Sequence, residues 1–270
     1  MKGGPSLDAL LKLSLQELRH LLEQDQPAVA MPQGARIGAP IESQEVWAAG
    51  VTYQRSLEAR TDEAVSADPY DRVYKAQRPE LFFKGGASRV RGPGQPVHIR
   101  SDSTWDVPEP ELAVICNSRL EVIGYTIGND MSSRSIEGEN PLYLPQAKVF
   151  DGSCALGPAI AFAWDFSPSN RTIELEISRD DAVIFRSDTS TSALRRSIPE
   201  LVDYLGRDQR FEEGCILLTG TGIVPPPEFS LQTGDVVTIR IDGLGVLRNP
   251  VQRHVARPIA DGKTIDAARP

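Results

Sequence analysis

The 22 glycines and 21 prolines of this chain constrain its fold more than any other feature, because many of them fall after residue 45, between short apolar or alternating stretches. Thr172-Ile173-Glu174-Leu175-Glu176-Ile177 alternates with a period of two, the pattern of a half-buried strand. Val236-Val237-Thr238-Ile239-Arg240-Ile241 alternates less strictly, and Gly243-Leu244-Gly245 turns it towards Val246-Leu247. Leu112-Ala113-Val114-Ile115 is a continuous apolar strand candidate. Short helices are predicted at 53–65, 69–78 and 193–205. The pattern is α+β and mainly β: a β-roll or sandwich-like core with peripheral helices, rather than a doubly wound α/β fold.

Ahead of that core, residues 6–24 read as one amphipathic helix. Ser6 is its N-cap, and Leu7, Leu10, Leu11, Leu15, Leu18, Leu21 and Leu22 fall at helical spacing. Pro27 and then Pro32-Gln33-Gly34 end it, and 26–44 has the composition of a linker. The expected organisation is a small N-terminal helical segment with its linker, 1–44, and a main domain, 45–270.

A net charge of −8 and a pI near 5.1 argue against nucleic acid or an anionic membrane as partner, since both need a basic footprint. An acidic protein that handles an anionic substrate usually carries a local positive device, such as a cation or a placed Lys or Arg. Cys116, Cys154 and Cys215 are odd in number and fit no zinc spacing, so they read as reduced thiols. The N-terminus carries no signal-peptide pattern, and the apolar runs are too short to span a bilayer. A cytoplasmic location is expected.

The most informative segment is Trp105-Asp106-Val107-Pro108-Glu109-Pro110-Glu111-Leu112. Two glutamates two residues apart, leading into a strand, point to the same face with Cα atoms ~6.5–7 Å apart. Pro110 cannot donate to a ladder, which marks a strand start or an edge. Like charges so close repel unless a cation lies between them, and Mg²⁺ or Ca²⁺ with oxygen ligands is the economical solution. If 112–116 and 122–127 form a hairpin, Asp130 returns towards the start of the first strand. The plain alternative is a solvated edge, with Asp130 as a helix N-cap.

Two further residues carry chemistry. Lys148 follows the Pro145 stretch and is either a surface residue or a fixed cation for a substrate anion. Glu80 precedes Phe82 and Phe83, an apolar setting that raises a carboxyl pKa and suits proton transfer; a salt bridge with Arg78 or Lys84 is the bland reading. The three histidines, His20, His98 and His254, stand in no triad-like context, and neither Gly220-Thr221-Gly222 nor Gly85-Gly86 has phosphate-loop spacing.

Taken in order, Glu109-Pro110-Glu111-Leu112-Ala113-Val114, Gly124-Tyr125-Thr126-Ile127-Gly128-Asn129-Asp130, Lys148-Val149-Phe150-Asp151, Leu156-Gly157-Pro158 and Leu218-Thr219-Gly220-Thr221 resemble the fumarylacetoacetate hydrolase family across about 45–255. The resemblance implies a mixed β-roll, usually dimeric. It also implies a Glu109, Glu111 and Asp130 triad for Mg²⁺, with Mn²⁺ or Ca²⁺ able to occupy the same site. Val46 to Tyr53, Val73-Tyr74, Arg78 to Lys84, Arg100 to Trp105 and Glu139 to Gln146 are similar to the members that dehydrate 2-keto-3-deoxy sugar acids. That likeness implies proton transfer and substrate contact at Glu80 and Lys148, and Thr221 at the substrate carboxylate. It makes Tyr53 a substrate contact, in a loop at 52–55 that partly covers the pocket.

The expected reaction is conversion of a 2-keto-3-deoxypentonate to 2,5-dioxopentanoate by enolate formation and β-elimination of water. The partner is a small 2-keto acid and the assembly a homodimer or homotetramer. The alternative is a C–C hydrolase or decarboxylase of an acylpyruvate- or oxaloacetate-like acid. Those members carry a histidine after the first core strand to activate water, whereas Thr52 to Leu57 contains none. A non-catalytic metal- or carbohydrate-binding module would have no need of Glu80 and Lys148 beside the triad.

Overall fold

The computed structural model describes residues 4–24, 34–54 and 68–255. The first elements are helices α1 (Leu7–Leu10) and α2 (Leu15–Glu23), strand β1 (Glu45–Gly50), helix α3 (Asp68–Lys75) and strands β2 (Glu80–Gly86), β3 (Val90–Arg91), β4 (Val97–Ile99) and β5 (Asp106–Val107). Strands β6 (Pro110–Cys116), β7 (Val122–Asp130) and β8 (Ser132–Ser133) lead to helices α4 (Arg134–Glu139) and α5 (Leu144–Lys148). The remainder comprises β9 (Cys154–Phe162), β10 (Thr172–Arg179), β11 (Ala182–Ser190), helix α6 (Ile198–Gly206), β12 (Cys215–Leu218), β13 (Val236–Ile241) and β14 (Gly245–Arg253). Among the described residues no helix is long and apolar enough to cross a membrane.

The strands form a mixed, mainly antiparallel architecture. A seven-stranded sheet runs β2-β1-β12-β6-β7-β9-β3, a five-stranded sheet runs β11-β10-β13-β14-β4, and β5 pairs with β8. β1 with β12, β3 with β9 and β14 with β4 are the parallel pairs. β6 lies in the middle of the larger sheet and is buried along its whole length, which is why its sequence is continuously apolar. Its side chains serve two cores in alternation. Leu112, Val114 and Cys116 pack towards the smaller sheet with Ile127, Ile173, Leu175, Ile177 and Ile239. Ala113 and Ile115 pack on the other face with Val46, Ala48, Ile216 and Leu218.

That second face is covered by the N-terminal helices, where the structure corrects the single helix expected over 6–24. Ser6 caps α1 as expected, but α1 is one turn long, and α2 starts afresh at Ser14. Ser14 Oγ accepts from the Glu17 N–H while the Glu17 carboxylate accepts from the Ser14 N–H at 2.8 Å, a reciprocal cap that makes a new start at Ser14 favourable. The break lets both Leu11 and Leu18 reach the sheet, each 1% exposed. The β6–β7 turn fastens the break: the Ser118 N–H donates to Leu11 O and Asn117 Nδ2 donates to Leu13 O. Leu18→Ala should therefore cost about 2–5 kcal/mol, the range for a truncated core leucine, and lower the thermal midpoint. A midpoint equal to that of the parent would mean that these helices lie outside the cooperative core.

The other helices are shifted by their caps. The segment expected at 193–205 begins its helix only at Ile198, because Ser197 caps the Glu200 N–H and Pro199 fits the first turn. The helix expected at 69–78 is α3, ending at Lys75. The one expected at 53–65 lies almost wholly outside the described residues.

Candidate metal centre and active site

The β6–β7 hairpin sets Pro110 opposite Asn129 and Glu111 opposite Gly128, and the Asp130 N–H donates to Glu109 O at 2.9 Å. Residues opposite each other project from the same face. Glu109, Glu111 and Asp130 therefore converge, and one carboxylate oxygen from each lies within 4.8 Å of the others. Gly128, paired with Glu111, leaves room for Leu218, which a side chain there would strike. All three carboxylates are buried. Asp130 ends a strand, so it is not the helix cap of the plain alternative.

Burying like charges this close is costly, and the structure shows how the cost is met. Burial pushes the Glu111 carboxyl well above its ordinary pKa, and the negative charges of Asp130 and Glu109 push it further; Lys148 and the Gly220 N–H oppose the rise. Lys148, the last residue of α5, sends its ammonium between the other two ligands, 2.6 Å from Glu109 Oε2 and 3.2 Å from Asp130 Oδ2, with Ser132 Oγ at 2.6 Å. Arg134, the first residue of α4, donates to Glu109 Oε1 at 2.9 Å and approaches Glu137 at 3.9 Å. Lys84, from β2, forms an ion pair with Asp130 Oδ1 and is fully buried.

A cleft opens onto this cluster. Ala49, Gly50 and Val51 line one side, Glu80 and Phe82 another, with Glu137, Leu144, Lys148, Gly220 and Thr221 completing the wall around the triad. Five carboxylates line it: Glu80, Glu109, Glu111, Asp130 and Glu137. The buried cations that meet them are Lys84, Lys148 and Arg134. The donor set, all carboxylate oxygen, is that of a hard ion such as Mg²⁺.

The residues singled out from sequence divide in position. Glu80 and Lys148 both face the cleft, and Thr221 lies in its wall. Glu80 fills the space beside Gly50 that any other side chain there would need, so Gly50 is what lets the carboxylate lie against β1. Tyr53 lies behind the wall: it is 2% exposed, its ring packs against Gly222, and its hydroxyl has no hydrogen-bond partner among the described residues. Burial, and then the nearby Glu111, push its phenol pKa up. Of the two cations, Arg78 and Lys84, that the bland reading offered Glu80, Lys84 pairs instead with Asp130. Arg134, Glu137 and Ser132 escaped sequence reading, although all three follow Asp130 within seven residues. His98 and His254 pack ring against ring beside Asp151, and no histidine lines the cleft among the described residues.

Residues 45–252 match the fumarylacetoacetate (FAA) hydrolase C-terminal family, and the chain belongs to that family. It is 50% identical over 213 residues to a probable 2-keto-3-deoxyxylonate dehydratase of Haloferax volcanii, covering 78% of this chain and 73% of that one. It is 43% identical over 224 residues to the 2-dehydro-3-deoxy-D-arabinonate dehydratase of Saccharolobus solfataricus, covering 81% and 75%. Among solved structures, a 2-keto-3-deoxy-D-arabinonate dehydratase complexed with magnesium and 2,5-dioxopentanoate superposes with a TM-score of 0.81 at 35% identity, covering 93% of this chain and 90% of the other.

Proposed function

We propose that the protein is a divalent-cation-dependent hydro-lyase that dehydrates a 2-keto-3-deoxypentonate to 2,5-dioxopentanoate. The observation that carries this reading is the convergence, in one cleft, of a buried carboxylate triad with Glu80 and Lys148. Likeness to dehydratases of such acids, one of them solved with magnesium and 2,5-dioxopentanoate, supports it. A Mg²⁺ ion held by Glu109, Glu111 and Asp130 would supply Lewis-acid polarisation of a 2-keto acid.

The protein's own groups have three tasks. Elimination removes a proton from C3 and releases the C4 hydroxyl as water, so one group must accept a proton and one must supply it. Glu80, lining the cleft beside Phe82 and close against Gly50, is the acid–base candidate. Lys148 presents a fixed positive charge at the triad, suited to anchoring the substrate carboxylate or sharing the proton transfer. Thr221, also in the wall of the cleft, is the candidate contact for the carboxylate end. The new double bond then moves to C4–C5, and the enol so formed becomes the aldehyde, with one water lost overall. We take the enzyme to be a cytoplasmic homodimer or homotetramer; its three buried free thiols suit a reducing compartment.

A panel of 2-keto-3-deoxy acids, assayed with Mg²⁺ and with chelator, tests the reading. A pentonate should give a 2-keto semialdehyde only when metal is present. Pyruvate and a two-carbon fragment as main products would replace dehydration with an aldol cleavage.

A further inference from the structure

Each carboxylate of the triad has one oxygen tied by a neighbouring group, and each tie comes from a different element. Asp130 Oδ1 is paired with Lys84, Glu109 Oε1 accepts from Arg134 at 2.9 Å, and Glu111 Oε2 accepts from the Gly220 N–H at 2.6 Å. Lys148 touches the other oxygen of two of them, Glu109 Oε2 and Asp130 Oδ2. We propose that Lys84, Arg134 and the Gly220 N–H are ion-selecting ties, which hold all three ligands to one-oxygen contact and so favour Mg²⁺ or Mn²⁺ over Ca²⁺. The inference rests on the metal-site reading above.

The physical ground is coordination number. Ca²⁺ takes six to eight oxygens at about 2.3–2.6 Å and gains from two-oxygen carboxylate contact, whereas Mg²⁺ takes six at about 2.0–2.1 Å. A carboxylate oxygen held by a buried cation cannot turn to the metal without breaking a charge-assisted bond in a low-dielectric setting. The ties are built in firmly. Val46 pairs with Gly85 and Trp47 with Phe83, which leaves Lys84 as the extra residue of a β-bulge, a device that redirects a side chain. Its ammonium meets three oxygens: Asp130 Oδ1, Met131 O at 2.9 Å and Lys148 O at 2.5 Å. Gly220 adopts φ +93°, and a side chain there would collide with Thr52, so its N–H reaches Glu111 only because the residue is glycine.

The test is competition of Mg²⁺ and Ca²⁺ against the electron paramagnetic resonance signal of Mn²⁺, on metal-stripped full-length protein. The ratio of the two dissociation constants is the readout, because both ions carry the same charge and a general loss of fold or charge moves both together. The parent should bind Mg²⁺ more tightly than Ca²⁺. Lys84→Met, which frees Asp130 Oδ1, should shift the ratio towards Ca²⁺ by about tenfold or more, the scale on which partners of metal ligands act. Arg134→Met should do the same through Glu109 Oε1, which covers the case in which Lys84→Met fails to fold. Ca²⁺ bound as tightly as Mg²⁺ by the parent, or an unchanged ratio in a folded variant, overturns the ties and leaves the metal site standing. A parent that binds no divalent cation overturns both.

Discussion

Glu111→Ala should weaken Mg²⁺ binding by more than about 100-fold and abolish turnover, with the circular dichroism of the parent retained. One of three ligands is lost, and those that remain, Glu109 and Asp130, are already in contact with Lys148. The effect on stability has the opposite sign. Glu111 binds its proton more tightly in the folded protein than in the unfolded chain, because burial and two neighbouring carboxylates disfavour its charge. The folded state then holds more protons, so stability without metal is lost as the pH rises above the ordinary carboxylate range. In chelator, the parent's thermal midpoint should fall over that rise and Glu111→Ala should fall less; with Mg²⁺ the parent should recover and the variant should not. Calorimetric titration and melting curves with and without chelator measure all of this. A variant that binds Mg²⁺ like the parent would remove Glu111 from the site.

The second large effect separates Glu80 from Lys148. Glu80→Gln should leave the affinity for an unreactive 2-keto acid such as 2-oxobutyrate unchanged and lower kcat by about 10²–10⁴, the range for an acid–base group. Lys148→Ala should weaken binding of that analogue and raise KM as well as slow the reaction, because a positive charge facing the bound anion contributes in the ground state too. The structure adds a reason to expect a large change: Lys148 also compensates Glu109 and Asp130, so removing it leaves two buried carboxylates short of a partner. Isothermal titration of both variants with 2-oxobutyrate, beside steady-state kinetics, decides the matter. Analogue binding lost in Glu80→Gln and kept in Lys148→Ala would exchange the two roles.

How far the chain could be read from its residues depended on the range of the physics involved. Period-two alternation placed β10 at 172–179, against an expected 172–177, and β13 at its expected 236–241. A cap overrode a clear periodic signal at Ser14, where the local gain of two satisfied backbone donors outweighed continuation of the 6–24 helix. Tyr53 shows the limit at the site. It stands in a loop next to the cleft, yet its ring turns towards Gly222, which no pattern in residues 52–55 foretells.

The sequence by itself determined the mainly β character, the shared face of Glu109 and Glu111, and the hairpin that returns Asp130 to them, because all three follow from strand periodicity and a short turn. Only the tertiary structure decided what surrounds those carboxylates. Lys84 comes from a bulged strand, Arg134 and Lys148 from the ends of two short helices, and the Gly220 N–H from the loop after β12. Their charges meet the triad across sheet register and loop path, over separations as long as the 109 residues between Glu111 and Gly220. Electrostatic pairing at a few ångströms leaves no periodic trace in the chain, so Lys84, Arg134 and the Gly220 N–H become visible as partners only once the strands are in register, and Lys148, singled out from sequence, gains its contacts with Glu109 and Asp130 only there.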